Sequence, residues 1–169
     1  EGSKNGEFKN YDREGHLLLE GNFMNGRLHG DNTGYYADGT VKHRFNYEEG
    51  NKIGTALTYH TNGKLKLKEQ PSLTGQDWVV EEYTDADKLI SVKRFKNKHP
   101  NGQWEFYYPD GKTERIKENY ENGKLSGIRH EYFEDGKLAK EEMYKFNLLT
   151  GPYKTYYKTG GVEAEGELR

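Results

Sequence analysis

Hydrophobic and polar residues alternate along this chain in short runs, and glycine-containing turns separate the runs. Val41, His43 and Phe45 would lie on one face of an extended strand. Lys42 and Arg44 would lie on the opposite face. A period of two residues is typical of a half-buried β-strand, and no long stretch has the spacing of an amphipathic helix. The pattern therefore predicts β-strands throughout the chain.

Tyrosine recurs at intervals of 24 residues, with a single interval of 25. Internal repeats of this length are the signature of a repeat array. Residues 1–169 are therefore interpreted as one array of seven copies, which start near residues 6, 30, 54, 78, 102, 127 and 151. The periodic tyrosines are Tyr11, Tyr35, Tyr59, Tyr83, Tyr107, Tyr132 and Tyr156.

Each copy has the pattern of a β-hairpin, because two strand-like runs flank a turn, and in four of the copies this turn carries an Asp-Gly or Asn-Gly pair. Examples are Asp38-Gly39, Asn62-Gly63 and Asp135-Gly136, and Asp87 replaces the glycine in copy four. Such pairs favour tight turns that need a positive φ. Consecutive hairpins joined by short turns predict an all-β fold. The predicted architecture is an elongated, twisted antiparallel β-meander of a single layer, built from seven hairpin repeats of about 24 residues.

Two places depart from the regular array. Pro71 and the loss of glycine at Trp78 predict a bend or irregularity at 70–78, because proline is confined to edges and bulges of sheets. Copy five has one extra residue between Gly111 and Tyr120, and a β-bulge in its second strand is the simplest explanation.

The periodic tyrosines have two interpretations. In the structural one, each ring packs against the tyrosine of the adjacent copies and seals the junction, as neighbour contacts stabilise repeat arrays. In the functional one, the rings form an exposed row that binds a ligand. We expect the structural role.

A candidate binding patch is formed by large rings at alternate positions of one strand in copy five: Trp104, Phe106 and Tyr108. Other copies carry mostly polar residues there, and Trp and Tyr are frequent anchors of interfaces. Tyr36, Phe133 and Tyr157 occupy the position of Tyr108 in their own copies and would extend the patch. The alternative is that coiling of the sheet buries this face locally.

Composition narrows the function classes. Only 31% of the residues are hydrophobic and 32% are charged, but 14% are aromatic, which favours a thin, ordered structure over a disordered chain. The net charge is −2 with mixed signs and no basic stripe, so we expect no nucleic-acid partner. There is no cysteine, and the six histidines have no metal-ligand spacing. We expect no catalytic residues, no metal, no cofactor and no enzymatic activity.

The unit GxxxxYYxDGKLxxExxYxNGKLxG resembles the MORN repeat variant over residues 6–168. The resemblance is strongest at 102–112, 121–144 and 151–161. The second half of copy three and copy four depart from it, so an irregular sheet is expected there. The resemblance implies consecutive β-hairpins without catalytic residues. It also implies a bacterial protein related to proposed antitoxins and located outside the cell or in its envelope.

These observations favour a non-enzymatic scaffold that binds protein partners through an extended β surface, with toxin neutralisation or a cell-envelope interaction as special cases. The alternatives are a carbohydrate or cell-wall binding module that uses exposed aromatic rings, and a protein that binds lipid at a membrane surface. The sequence leaves the compartment and the oligomeric state open.

Overall fold

The computed structural model describes residues 2–71 and 76–168, and these residues form β-strands joined by turns. The first nine strands are β1 (Gly6–Tyr11), β2 (Leu17–Met24), β3 (Arg27–Leu28), β4 (Gly30–Tyr35), β5 (Val41–Glu48), β6 (Asn51–Tyr59), β7 (Leu65–Pro71), β8 (Asp77–Tyr83) and β9 (Leu89–Lys96). The others are β10 (His99–Pro100), β11 (Gly102–Tyr107), β12 (Glu114–Glu121), β13 (Lys124–Leu125), β14 (Gly127–Tyr132), β15 (Leu138–Lys145), β16 (Leu148–Tyr156) and β17 (Val162–Leu168). No helix in the described part of the chain is long and apolar enough to cross a membrane.

The described residues divide into two compact units. The first contains residues 2–71 and 83–87, and the second contains residues 76–82 and 88–168. The short segment 83–87 belongs to the first unit because copy three holds it by polar contacts: the Asn62 side-chain amide donates to the Asp85 carbonyl at 2.8 Å. The Lys64 ammonium lies 3.2 Å from the Asp87 carboxylate.

Within each unit the strands pair as antiparallel hairpins in chain order. Copy two is the β4–β5 hairpin and copy six is the β14–β15 hairpin. Adjacent copies are joined in the same way, for example by β2 with β4 and by β12 with β14. The predicted all-β class and the meander of hairpins are confirmed.

A β-bulge accompanies the periodic tyrosine in six of the copies. In copy one, Asn10 pairs with Leu19 but Tyr11 pairs with Leu17, so Leu18 is left out of the pairing. The same register shift occurs at Tyr35, Tyr59, Tyr107, Tyr132 and Tyr156. A bulge increases the local right-handed twist. Each of these hairpins therefore has one position at which the twist of the sheet is increased.

The extra residue of copy five lies in the turn, and the prediction of an additional bulge in the second strand is wrong. The Tyr108 N–H donates to the Thr113 carbonyl at 2.9 Å, whereas in copy two the Tyr36 N–H donates to the Thr40 carbonyl, one residue closer. Asp110 accommodates the longer turn because one carboxylate oxygen accepts from the Lys112 and Thr113 amides, at 2.9 Å each. The strand β12 itself has the same single bulge as its equivalents.

The irregularity predicted around copy three is partly wrong. Its second strand, β7, pairs regularly with β6 from Ala56–Glu69 to Thr58–Leu67. Pro71 ends β7, where a missing N–H costs no interior hydrogen bond. The centre of the predicted bend, residues 72–75, lies outside the described residues, so that bend stays a prediction.

Asp87 adopts the positive φ that the lost glycine of copy four would have supplied, with φ at 59°. Asp tolerates this left-handed region better than most residues. The turn therefore keeps its shape without glycine, as the sequence predicted.

Fully buried residues are few. Among the described residues, the buried hydrophobic ones are Ala56 and Val92, and the buried polar or charged ones are Asn32, Ser91 and Glu142. Most of the large side chains are only half-buried. The packing that stabilises each unit therefore consists largely of rings and polar groups that still contact solvent.

Candidate interaction surface

One face of the second unit carries a cluster of four rings, formed by Phe95, Trp104, Phe106 and Tyr120. The Trp104 ring is central: its centroid lies 5.2 Å from that of Phe95 and 4.6 Å from that of Tyr120. Phe106, two residues along the same strand, is 6.4 Å away. All four residues are half-buried. Tilted ring pairs at these distances are favourable beyond simple area burial. We call this the ring cluster.

Polar contacts fix the orientation of the ring cluster. The Trp104 indole N–H donates to the Arg94 carbonyl at 2.8 Å. The Lys93 ammonium lies 5.7 Å from the centroids of both Trp104 and Phe106, within the range of a cation–π interaction. Lys93 also lies 3.5 Å from the Glu82 carboxylate. The Trp104 ring is therefore held in a fixed orientation, and a cation lies over it and over Phe106.

The other residues predicted for the patch do not join this cluster as a group. The Tyr108 hydroxyl donates to the Tyr132 carbonyl at 2.7 Å, so it contacts the next copy. The Tyr36 hydroxyl makes the equivalent contact with the Tyr59 carbonyl at 2.8 Å, within the first unit. Phe133 is half-buried and Tyr157 is 53% exposed. The predicted binding role of these residues stays a prediction.

A charged network lies on the same face, beside the ring cluster, and Arg129 is its centre. The Arg129 guanidinium contacts the carboxylates of Glu118 at 3.1 Å and Glu142 at 3.5 Å, and it also contacts Glu131. The Lys140 ammonium adds a contact of 2.7 Å to Glu142. Burial alone would lower the pKa of Arg129, but hydrogen bonds and charge from Glu131 and Glu118 outweigh it and raise that pKa.

The phenol of Tyr120 joins the two groups. Its hydroxyl donates to the Glu118 carboxylate at 2.9 Å while its ring packs on Trp104. Burial, and then the hydrogen bond to Glu118, raise the pKa of Tyr120 to about 12. The hydroxyl therefore stays protonated, and a donor, at any physiological pH.

The periodic tyrosines are half-buried, except for Tyr11, which is 56% exposed. The phenols of two of them donate to nearby carboxylates: Tyr35 to Glu20, and Tyr107 to Glu105 at 3.2 Å. Burial, and then the charge of Glu105, raise the pKa of Tyr107 to about 12. A further junction contact comes from the residue after three of these tyrosines. These residues are Tyr36, Tyr108 and His60, whose ring nitrogen lies 2.9 Å from the Tyr83 carbonyl. The ladder of packed tyrosine rings itself stays a prediction.

Replacement of Tyr107 by alanine tests that ladder. We expect a loss of about 2–3 kcal/mol in the free energy of unfolding, because a half-buried ring is removed next to a bulge. Urea unfolding followed by circular dichroism measures it, and Tyr11→Ala, at an exposed equivalent position, is the control with an expected loss below about 1 kcal/mol. An unchanged stability together with lost ligand binding would assign Tyr107 to a binding row instead.

In the first unit, the His43 ring covers a glycine. A Cβ built on Gly34 would lie 2.2 Å from His43 Cε1, so only glycine leaves room for this ring. The ring also stacks on Phe45, with centroids 4.4 Å apart and planes 14° apart. An aromatic ring over a strand glycine compensates for the missing side chain. Burial, and then the charge of Lys42, lower the pKa of His43.

This lowered pKa predicts a loss of stability in acid. The folded state favours the neutral imidazole, so its contribution is complete above the unfolded pKa of about 6.5 and is lost as the pH falls through the lower folded pKa. We expect His43→Phe, which keeps a ring over Gly34 but cannot titrate, to reduce the fall in melting temperature between about pH 7.5 and pH 5. An identical fall in both proteins would show that His43 does not contribute.

The turn of copy one brings together three potential metal ligands, Asp12, Glu14 and His16, which the spacing of histidines alone did not indicate. One ligand atom from each lies within 4.8 Å of the others. Turn geometry explains the group: an Asp12 carboxylate oxygen accepts from the Glu14 and His16 amides, and the other oxygen lies 2.8 Å from His16 Nδ1. The hydrogen bond from the His16 side chain is the largest contribution that lowers the pKa of Asp12.

A surface that the sequence reasoning missed lies at the junction turns of copies four to six. The even mixture of charges predicted no basic stripe, but the structure places four exposed lysines along these successive turns: Lys96, Lys98, Lys124 and Lys145. The sequence does contain a signal for this surface, because lysine recurs within a few residues of the same position in these copies. It becomes visible only when the copies are aligned on their turns.

An antiparallel array of consecutive hairpins defines a β-repeat scaffold. Comparison with protein families also indicates a repeat protein. The MORN repeat variant matches four segments, at residues 4–25, 52–70, 100–118 and 126–146. These four segments of the chain are therefore MORN repeat variant units. No curated protein matches the chain.

Proposed function

We propose that this protein is a non-enzymatic scaffold that binds a protein partner through the ring cluster of its second unit. The observation that carries the proposal is that the four rings centred on Trp104, which is held in a fixed orientation, are only half-buried. Clustered apolar rings with a polar surround are typical of interface anchors. Toxin neutralisation and an interaction at the cell envelope are the two settings that the family resemblance favours.

The surroundings of the ring cluster suit a protein partner. Lys93 and the carboxylates around Arg129 supply charges of both signs within the same face. A partner that covers the rings would therefore be able to form hydrogen bonds and ion pairs at the rim. Exclusion of water from the centre would strengthen these polar contacts and the apolar contacts with the rings. The fixed orientation of the Trp104 ring lowers the ordering cost of association.

Site-specific photo-crosslinking tests this function. A benzophenone amino acid replaces Phe106 in the ring cluster, and a second variant carries it at Gln103, an exposed position on the opposite face of the same strand. Both proteins are expressed in the native organism, irradiated and analysed by mass spectrometry. We expect a discrete protein adduct from position 106 and none from position 103. Equal adducts at both positions, or none at position 106, would contradict the proposal.

Carbohydrate binding remains the second candidate, because tryptophan and tyrosine rings also stack on sugars. The position of the Lys93 ammonium over the Trp104 ring disfavours it, since a sugar would have to displace that cation. Quenching of Trp104 fluorescence by soluble glycans, lost in Trp104→Phe, would support this alternative over a protein partner.

A further inference from the structure

We propose that the row of junction turns in the second unit binds an extended acidic segment of a partner protein. The row consists of Lys96, Lys98, Lys124 and Lys145 with the neighbouring apolar side chains of Phe146 and Leu148, and we call it the lysine row. It uses different residues from the ring cluster, so the proposal goes beyond the function proposed above and does not depend on it.

Backbone hydrogen bonds fix the lysine row by joining each turn to the one before it. The Gly123 N–H donates to the Pro100 carbonyl at 2.8 Å, which connects the turns of copies four and five. The Asn147 N–H donates to the Leu125 carbonyl at 2.9 Å, which connects those of copies five and six. The lysines therefore project from a continuous, hydrogen-bonded ridge and not from independent loops.

The charge of the row is uncompensated. The turn segments 96–99, 121–124 and 145–148 carry four lysines, and Glu121 is the acidic residue among them. None of the four ammonium groups forms an ion pair with a carboxylate in the described residues. Some lysines elsewhere on the protein do form ion pairs, as Lys52 does with Glu69 at 3.0 Å and Lys140 with Glu142. In the first unit the equivalent turn of copy two is acidic, with Glu48 and Glu49.

An apolar anchor lies at one end of the row. Phe146 is 52% exposed and Leu148 is 72% exposed. Phe146 has a φ of 53°, a left-handed conformation that is unfavourable for a bulky residue, whereas Asn25 and Asn122 occupy the equivalent position in copies one and five. The Lys124 ammonium lies 5.6 Å from the Phe146 ring centroid. An exposed ring maintained at the cost of backbone strain points to a functional contact.

The spacing of the row selects the occupant. Successive copies are two strands apart, or about 10 Å. An extended segment in the polyproline II conformation has three residues per turn and advances about 3.1 Å per residue, so every third side chain points the same way at a spacing of about 9 Å. Carboxylates at every third residue of such a segment would therefore meet successive turns. A hydrophobic residue at one end of the segment would contact Phe146 and Leu148. Such complementarity of charge sets register and orientation.

A peptide-binding experiment tests the proposal. The probe is a labelled synthetic peptide with aspartate at every third position and phenylalanine at one end. Its isomer has the same composition with the aspartates adjacent. We expect fluorescence anisotropy to show tighter binding of the spaced peptide than of its isomer. A variant in which all four lysines of the row are changed to glutamine should bind the spaced peptide at least about tenfold more weakly than the wild type does. The control variant changes Lys112, Lys137 and Lys158, in the hairpin turns, to glutamine and should bind normally.

Phe146→Asn separates binding from folding. Asparagine suits the left-handed turn, so the melting temperature should stay the same or rise, while the spaced peptide binds about threefold more weakly. Equal binding of the two isomers, or equal weakening by the control lysine variant, would overturn the proposal. Tighter, row-dependent binding of anionic phospholipid vesicles or of a single-stranded oligonucleotide would also overturn it, because the row would then recognise a polyanion of another class.

Discussion

Replacement of Trp104 by alanine is expected to lower the free energy of unfolding by about 3 kcal/mol. This value is at the low end of the range for a buried tryptophan, because the Trp104 ring is half-buried. The indole contacts Phe95 and Tyr120, so its removal leaves a cavity. It also removes one of the two donors to the Arg94 carbonyl, which keeps only its hydrogen bond from the Asn101 N–H at 2.9 Å. Urea unfolding followed by far-ultraviolet circular dichroism measures the loss.

Two further variants make the Trp104 result interpretable. Trp104→Phe retains most of the ring packing but loses the hydrogen bond, and we expect about half of the alanine effect. Tyr157→Ala removes an exposed ring and should cost less than about 1 kcal/mol. If Trp104→Ala unfolds at the wild-type urea concentration, the cluster does not stabilise the second unit and its rings are available for binding alone.

Replacement of Arg129 by methionine is expected to cost about 3 kcal/mol. Methionine preserves the apolar stem but leaves the carboxylates of Glu118, Glu131 and Glu142 without their shared cation, and the Glu142 side chain is only 7% exposed. Removal of one partner from a buried ionic network is strongly destabilising because the remaining charges lose their compensation. The urea midpoint at neutral pH measures the effect.

The double variant Arg129→Met, Glu142→Gln tests the cause. Neutralising Glu142 should restore about half of the lost stability, because the amide keeps the shape of the side chain and can still accept from Lys140. Additive losses in the double variant would show that Arg129 contributes by packing and not by compensating the carboxylates.

The hairpins could be predicted because their determinants are local. The recurrence of glycine or asparagine at the turns reflects a conformation that few residues adopt, and Asp87 shows that the rule extends to aspartate. The extra residue of copy five could be located between Gly111 and Tyr120 but not assigned, because a longer turn and a second bulge each absorb one residue. Only the contacts of Asp110 distinguish the two.

The composition of the surfaces was harder to predict, because it depends on register between strands. Trp104 and Phe106 share a strand, so the sequence grouped them. Phe95 and Tyr120 come from the neighbouring strands, and the single-residue shift at each bulge decides which side chains meet. Tyr108 follows the last residue of β11, and its hydroxyl contacts the next copy. The lysine row was missed because its members are scattered along the chain.

The contact made by the residue after Tyr35, Tyr59 and Tyr107 has a consequence for cooperativity. Tyr36, His60 and Tyr108 place a donor group on the neighbouring copy, but Asp12 and Phe133 hold the same position in copies one and six and have no side-chain donor at neutral pH. Coupling between neighbours therefore differs from seam to seam. In a repeat protein, weakly coupled modules open as separate units before the rest. Copy seven should thus behave as a detachable end, while copies two with three and five with six open together.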